Sequence, residues 1–299
     1  MIQAESLRTE PVPRRLDAAA APTDNYPFCF VAARIRLKIV LDHFAELYKY
    51  RVLIESLVWR DIKARYRGSV FGFLWTFLNP LILLLVYRAV FKYVTQAVDI
   101  PYYAVFLFVG LLPWLWLAGS ATNGSIAITQ NGALIARACI PPQVLPAVVV
   151  LSNLVNFLLA LPVAIGAAIF YQLYPTPWLV LLPLVIAIML VFLYGTALFL
   201  STVTVYFRDV QFLVQNLVLV WFFLTPIAYD LAQAPAVKYR HYFLANPATA
   251  LLVPFQQLLY HRTAPDAAYL GLAAAWAIVA TVVGIKVFEA MRDTVVEEL

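Results

Sequence analysis

From residue 138 to residue 207 this chain contains no Asp, Glu, Lys or Arg. A soluble fold has no use for so long an uncharged run, because its surface positions would have to be polar. About 20 mostly apolar residues cross a bilayer core as one helix, so this run is long enough for two. Tyr171 to Pro177 (YQLYPTP) breaks it, since Pro175 and Pro177 cannot sit inside a continuing helix. Shorter uncharged stretches lie between Asp99 and Arg137, from 210 to 229 and from 267 to 285. Charged residues are 12% of the chain and hydrophobic residues 64%, against roughly 25% charged in an average soluble domain. The strict alternation of a membrane β-strand is absent. The pattern predicts an all-α polytopic membrane protein.

The runs place six spans at 70–94, 102–124, 144–170, 178–205, 211–228 and 267–288. Residues 1–75 carry twelve Lys/Arg against eight Asp/Glu, and Arg137 and Arg208 fall in the two predicted inner loops. The outer turns 95–101 and 171–177 hold no Lys or Arg. Basic residues collect on the cytoplasmic side of membrane proteins, so both termini are expected in the cytoplasm. The net charge of +5 then reflects topology; no basic, aromatic-studded surface points to nucleic acid. Residues 1–30 read as a disordered cytoplasmic tail without a signal-peptide core. Residues 31–292 form the membrane domain and 293–299 a second tail.

Catalytic chemistry is hard to find in this chain. Gly119 to Ser125 (GSATNGS) has glycines but lacks the phosphate-contacting Lys of a nucleotide-binding loop. Asp99, Asp230 and Asp266 are isolated and fall on the predicted outer side. His43, His241 and His261 are scattered, and Cys29 and Cys139 lie on the reducing side, where a disulfide is not expected. With no energy-coupling chemistry of its own, the chain must borrow its energy, either from a gradient or from a separate ATPase; no acidic residue lies within the spans to couple a gradient. No metal site or resident cofactor is predicted.

Ahead of the first span lies a segment of a different kind, 50–69. Arg60, Lys63 and Arg67 share one helical face, while Ile54, Leu57, Val58 and Ile62 form an apolar stripe opposite. Such a helix lies at the membrane surface. Asp61 and Arg65, four residues apart, can pair, yet project near the apolar stripe, which favours a face packed on protein. Trp59 begins the block.

Residues Trp59 to Gly72 (WRDIKARYRGSVFG), followed by Trp75 and Asn79-Pro80-Leu81, resemble the signature of type-2 permeases of bacterial polysaccharide ABC exporters, which move O-antigen, capsule or teichoic acid. The resemblance continues at Asn131 to Ile135 (NGALI), Ile140-Pro141, Phe207-Arg208-Asp209 and Asn246-Pro247, and covers about residues 45–292. The chain departs from the family's pattern at Ile140, commonly aromatic, and at Gln256, commonly basic. The resemblance implies a homodimer paired with two copies of a cytoplasmic ATPase that binds ATP and magnesium, in the bacterial inner membrane. It implies a coupling loop at about 125–143, where Asn131, Leu134, Ile135, Arg137, Ile140 and Pro141 would meet the ATPase. Arg208 and Asp209 would form a smaller contact, and 229–264 an outer re-entrant pair of short helices. Asn131 is expected to cap the coupling helix and Pro141-Pro142 to stop it. The implied cargo is a lipid-linked glycan, with Trp59, Arg60, Lys63, Arg65 and Arg67 at its entry; Arg forks match phosphate oxygens.

Tyrosine and tryptophan are abundant, and Trp75, Trp114, Trp116 and Trp178 are assigned to an interfacial belt. Phe192 and Tyr194 fall mid-span. The resemblance to polysaccharide exporters makes Trp75, Arg88, Phe192 and Tyr194 channel candidates, since sugars stack on aromatic faces and bond to hydroxyls. Arg88 and Lys92 share a face near the outer end of the first span.

Overall fold

The computed structural model describes residues 42–67, 74–89, 100–138, 140–231 and 240–297. The predicted tail 1–30 and Lys92 lie outside them, as do the side chains of Arg88 and Arg137. Helices account for nearly all of the described chain. In order they are α1 (42–49), α2 (Arg51–Tyr66), α3 (Trp75–Ala89), α4 (Tyr103–Ser125), α5 (Ala127–Gln130) and α6 (Gly132–Ala138). They continue with α7 (Val144–Phe170), α8 (Leu182–Tyr206), α9 (Val210–Phe223), α10 (Arg240–Ala245), α11 (Pro247–Gln256) and α12 (Ala267–Glu297).

Among the described residues, four helical stretches are long and apolar enough to cross a membrane: Tyr103–Ser125, Val144–Phe170, Pro177–Tyr206 and Ala267–Arg292. Sequence runs set their ends. A 3₁₀ turn at Pro177–Leu181 starts the third, with Pro at its first position, where the missing N–H is no loss. The predicted fifth span is shorter than expected. Its helix α9 has 14 residues, about 21 Å at 1.5 Å per residue, against a hydrocarbon core of about 30 Å. Pro226 is the physical reason: it lacks an N–H and disfavours helix at Thr225, so 224–229 turns instead.

Helix α4 forms the centre. Val105 through Trp114 are all buried, as expected of a helix apolar on every side. Its neighbours are α3, α7, α8, α9 and α11. Around it Phe106, Trp116, Phe157, Met189, Leu193 and Phe255 make the main core. Trp114 and Trp116 are 5% and 2% exposed, so they are core residues and not the expected interfacial belt; Trp116 donates its indole N–H to the Val150 carbonyl at 3.2 Å. Trp178 is exposed.

Helices α8 and α12 cross where Gly195 meets Gly284. A Cβ on Gly195 would run into the α12 backbone at Ala280 and Thr281, and one on Gly284 into the Gly195 carbonyl. Thr281 donates to the Val191 carbonyl across the same crossing at 3.0 Å. Small residues and interhelical hydrogen bonds are what hold helices together where water provides no hydrophobic drive.

Helix α11 begins at Asn246, whose side-chain oxygen accepts from the Ala248 N–H at 3.0 Å. The same oxygen accepts from the Trp221 indole at 2.7 Å, and the Asn246 amide donates to the Leu224 carbonyl at 3.1 Å. One side chain thus caps α11 and holds the end of α9. Residues Ala248 through Gln256 are buried, and Gln256 donates to the Pro226 carbonyl at 2.8 Å. A Cβ on Gly110 would lie 2.9 Å from the Gln256 amide nitrogen, so the position is closely packed.

Candidate functional site

Helix α2 lays Ile54, Leu57, Val58 and Ile62 against Ile140, Val144 and Val148 at the start of α7. The apolar stripe read from the sequence is therefore buried on protein. Trp59, Arg60, Lys63 and Arg67 are exposed. Arg65 points differently from these. Its guanidinium pairs with Asp61 at 3.2 Å and donates to the Asn153 side-chain oxygen on α7 at 3.4 Å.

Arg65 stands at the edge of a cleft of about 490 Å³ bounded by α2, α3, α4 and α7. Each long helix contributes one stripe. From α3 come Trp75 and Asn79, one turn apart; from α4, Gly119, Thr122 and Asn123; from α7, Asn153, Asn156 and Phe157. Asn79 and Asn123 are exposed, Asn156 is half-buried and Asn153 is buried, so amides run from mouth to floor. Trp116 and Phe157 stack at 5.3 Å beneath them. Gly119 makes room for Asn153, since a Cβ there would lie 3.2 Å from its oxygen. The amide nitrogen of Asn153 is buried and has no hydrogen-bond partner.

Sequence reasoning brought Trp75 and Arg65 to this site but missed Asn153 and Asn156. The available signal was two amides three residues apart inside the uncharged run, on one helical face. Two channel candidates lie elsewhere. Phe192 is 5% exposed and packed in the main core, and Tyr194 is 6% exposed. The Tyr194 hydroxyl is 2.6 Å from His43 Nε2 of α1. Both are occupied inside the chain, so neither lines a passage.

Beside the α2 end of the bundle, α5 and α6 fill the predicted coupling loop. Asn131 stands between them. Its carbonyl accepts from the Leu134 and Ile135 N–H groups, but its side-chain amide donates back to the Ala127 carbonyl at 2.9 Å. It therefore closes α5 rather than capping α6 with its side chain. Ile135 and Ile140 are each 7% exposed. Ile135 packs with Leu145, Leu198, Ile285 and Phe288, and Ile140 packs with the α2 stripe. These two side chains hold the loop from inside and are not presented to a partner. Gln130 and Ala133 are exposed, Leu134 and Pro141 are half-buried, and Phe207, Arg208 and Asp209 are exposed at the turn between α8 and α9.

Helix α1 is tied to the same end. His43 is 3% exposed, with Nδ1 3.6 Å from Glu289 of α12, and Glu46 pairs with Arg292 at 3.5 Å. Burial pushes the His43 pKa below its ordinary value of 6.5, against the opposing pull of Glu289 and Glu46. At the opposite end Arg262 donates to the Tyr174 carbonyl at 3.0 Å, and His261 lies 3.4 Å from Asp230. Among the described residues no three His, Cys, Asp or Glu side chains gather as a metal site.

Comparison with known proteins matches residues 52–260 to the ABC-2 type transporter family. The O-antigen export system permease protein RfbA of Myxococcus xanthus is 42% identical over 255 residues, 85% of this chain and 98% of that protein. A protein of the same name from Klebsiella pneumoniae is 31% identical over 234 residues, 78% of this chain and 89% of that protein. The family match runs from α2 to the turn after α11 and takes in both the cleft and the α5–α6 loop, and the relatives are matched over nearly their whole length: the chain belongs to the ABC-2 type transporter family.

Proposed function

We propose that this chain is the membrane-spanning subunit of an ATP-driven exporter that carries a lipid-linked polysaccharide from the cytoplasmic side across the bacterial inner membrane. It works as a homodimer with two copies of a separate ABC ATPase, which binds ATP and magnesium. The observation that carries this reading is the 42% identity, over nearly its whole length, to a relative named as an O-antigen export permease. Its α2 segment, ahead of a chain of apolar helices, and its exposed loop turns are consistent with that role.

In this reading the basic α2 end of the bundle faces the cytoplasm, with both termini there. Helices α3 and α9 join the four longer helices to complete six spans, and α10 and α11 form an outer re-entrant pair; residues 232–239 of the expected 229–264 segment lie outside the described residues. Irregular backbone at that depth is tolerated where protein buries it, and α11 is buried from Ala248 to Gln256. The ATPase meets Gln130, Asn131, Ala133, Leu134, Pro141, Arg208 and Asp209. Arg60, Lys63 and Arg67 present charge to the cargo's pyrophosphate at the cytoplasmic leaflet. Unlike the other basic residues of α2, Arg65 sits on the cleft side.

The test is genetic and chemical together. Cells lacking the chain should accumulate lipid-linked glycan inside and lose it from the surface. An inactive ATPase partner should reproduce that phenotype. Unchanged surface glycan in cells lacking the chain would refute the reading.

A further inference from the structure

Building on the export reading above, we propose that the cleft between α3, α4 and α7 binds a single uncharged sugar ring of the cargo. The phosphate of that cargo is held elsewhere. Two features of the cleft carry this, its hydrogen-bonding inventory and its charge.

Asn153 is 7% exposed and its amide nitrogen has no partner. Its orientation is fixed chemically. Arg65 has only donors to give, so the Asn153 oxygen must face Arg65 and the NH₂ group must face away from it. A buried donor left unpaired costs free energy, and a ligand oxygen in the cleft would satisfy it. Asn79, Asn123, Asn156 and Thr122 line the same space. Each amide carries both donors and an acceptor, which suits neighbouring hydroxyls that also do both. Trp75 is 40% exposed at the mouth and offers the flat apolar face that a sugar ring needs.

Charge argues against an anion here. Among the described residues that line the cleft, Arg65 is the one ionisable side chain, and Asp61 already pairs with it at 3.2 Å. A pyrophosphate would meet almost no net positive charge. The exposed Arg60, Lys63 and Arg67 suit it better. Size agrees too: about 490 Å³ falls within the roughly 300–1,000 Å³ of small-molecule sites, enough for a ring and its linkage atoms but not a polymer.

The test uses the full chain in lipid nanodiscs and saturation-transfer NMR with methyl glycosides of glucose, galactose, mannose, rhamnose and N-acetylglucosamine. These probes have no lipid tail, so partitioning into the bilayer does not mimic binding. At least one should show saturation on its ring protons. That signal should fall about fivefold or more in Asn153→Leu and in Asn123→Leu; the exposed Asn123 guards against a mere folding defect at Asn153. Replacing Arg60, Lys63 and Arg67 together with Gln should leave it unchanged. Ring signals absent for the whole panel, or equal in wild type and both Leu variants, would overturn the proposal. If cells lacking the chain lose surface glycan while the panel gives no signal, the export reading stands and the cleft assignment falls. Asparagine-dependent ring signals from a chain whose loss leaves surface glycan intact would keep the sugar site and remove the export reading.

Discussion

The guanidinium of Arg65 lies 3.4 Å from the side-chain oxygen of Asn153, and this contact joins a helix outside the four long spans to the floor of the polar cleft. Arg65→Ala removes the hydrogen bond and leaves Asp61 without its partner. An ordinary hydrogen bond contributes about 1 kcal/mol, and an exposed ion pair at most about that much. Arg60, one face away, is exposed, and Arg60→Ala should stay within about 0.5 kcal/mol. Thermal unfolding of the purified chain should therefore rank Arg65→Ala below Arg60→Ala. Equal midpoints would mean that the contact does not form.

The crossing of α8 and α12 gives a sharper prediction. Gly195→Ala should destabilise the chain by at least the 1–3 kcal/mol or so typical of overpacking, because its Cβ meets backbone that cannot rotate away. Gly166→Ala, with open space around it, should be neutral or slightly stabilising, since Ala is the better helix former. Membrane abundance and unfolding midpoint both report this, and a harmless Gly195→Ala would refute the close approach.

Acid should loosen α1. The buried His43 has a pKa below 6.5 in the folded chain, so the folded state binds fewer protons than the unfolded one. Its neutral form is favoured by folding. The stability it contributes is whole above about pH 6.5 and declines as pH falls below that value toward the folded pKa. Glu289, Glu46, Arg292 and Tyr194 face it, and the two carboxylates moderate the effect. The protection of the 42–49 amides, with exchange corrected for its intrinsic pH dependence, should fall between pH 7 and pH 5.5 in wild type. His43→Gln should flatten that dependence; an equally steep profile would assign the titration to another group.

Substitutions in the α5–α6 loop should separate folding from coupling. Ile135→Asp and Ile140→Asp place an unpaired carboxylate among apolar side chains, at a cost of several kcal/mol, and should lower membrane abundance. Ala133→Asp and Arg208→Glu alter exposed positions. They should leave abundance unchanged while weakening copurification of the ATPase and export. Normal export in both exposed variants would remove the α5–α6 loop and the α8–α9 turn from the proposed contact.

What could be read from the chain alone follows from which interactions are local. The uncharged runs and their prolines gave the helices, because membrane length and the missing proline N–H act along the sequence. The apolar stripe of α2 was legible for the same reason, as was the Asp61–Arg65 pair. The cleft was not legible, since Asn79, Asn123 and Asn153 come together only when three helices pack. Nor could periodicity show that Ile135 and Tyr194 turn inward: those orientations depend on α8, on α12 and on α1 docking through His43. The shortening of α9 was readable at Pro226, yet hydropathy alone carried the expected span past it.

The most direct measurement is transport by the purified chain and its ATPase in proteoliposomes loaded with a lipid-linked glycan. Glycan should become accessible to a glycosidase on the far side only when both subunits and hydrolysable ATP are present. Exposure that proceeds without the ATPase, or that follows an imposed ion gradient with no ATP, would contradict the account.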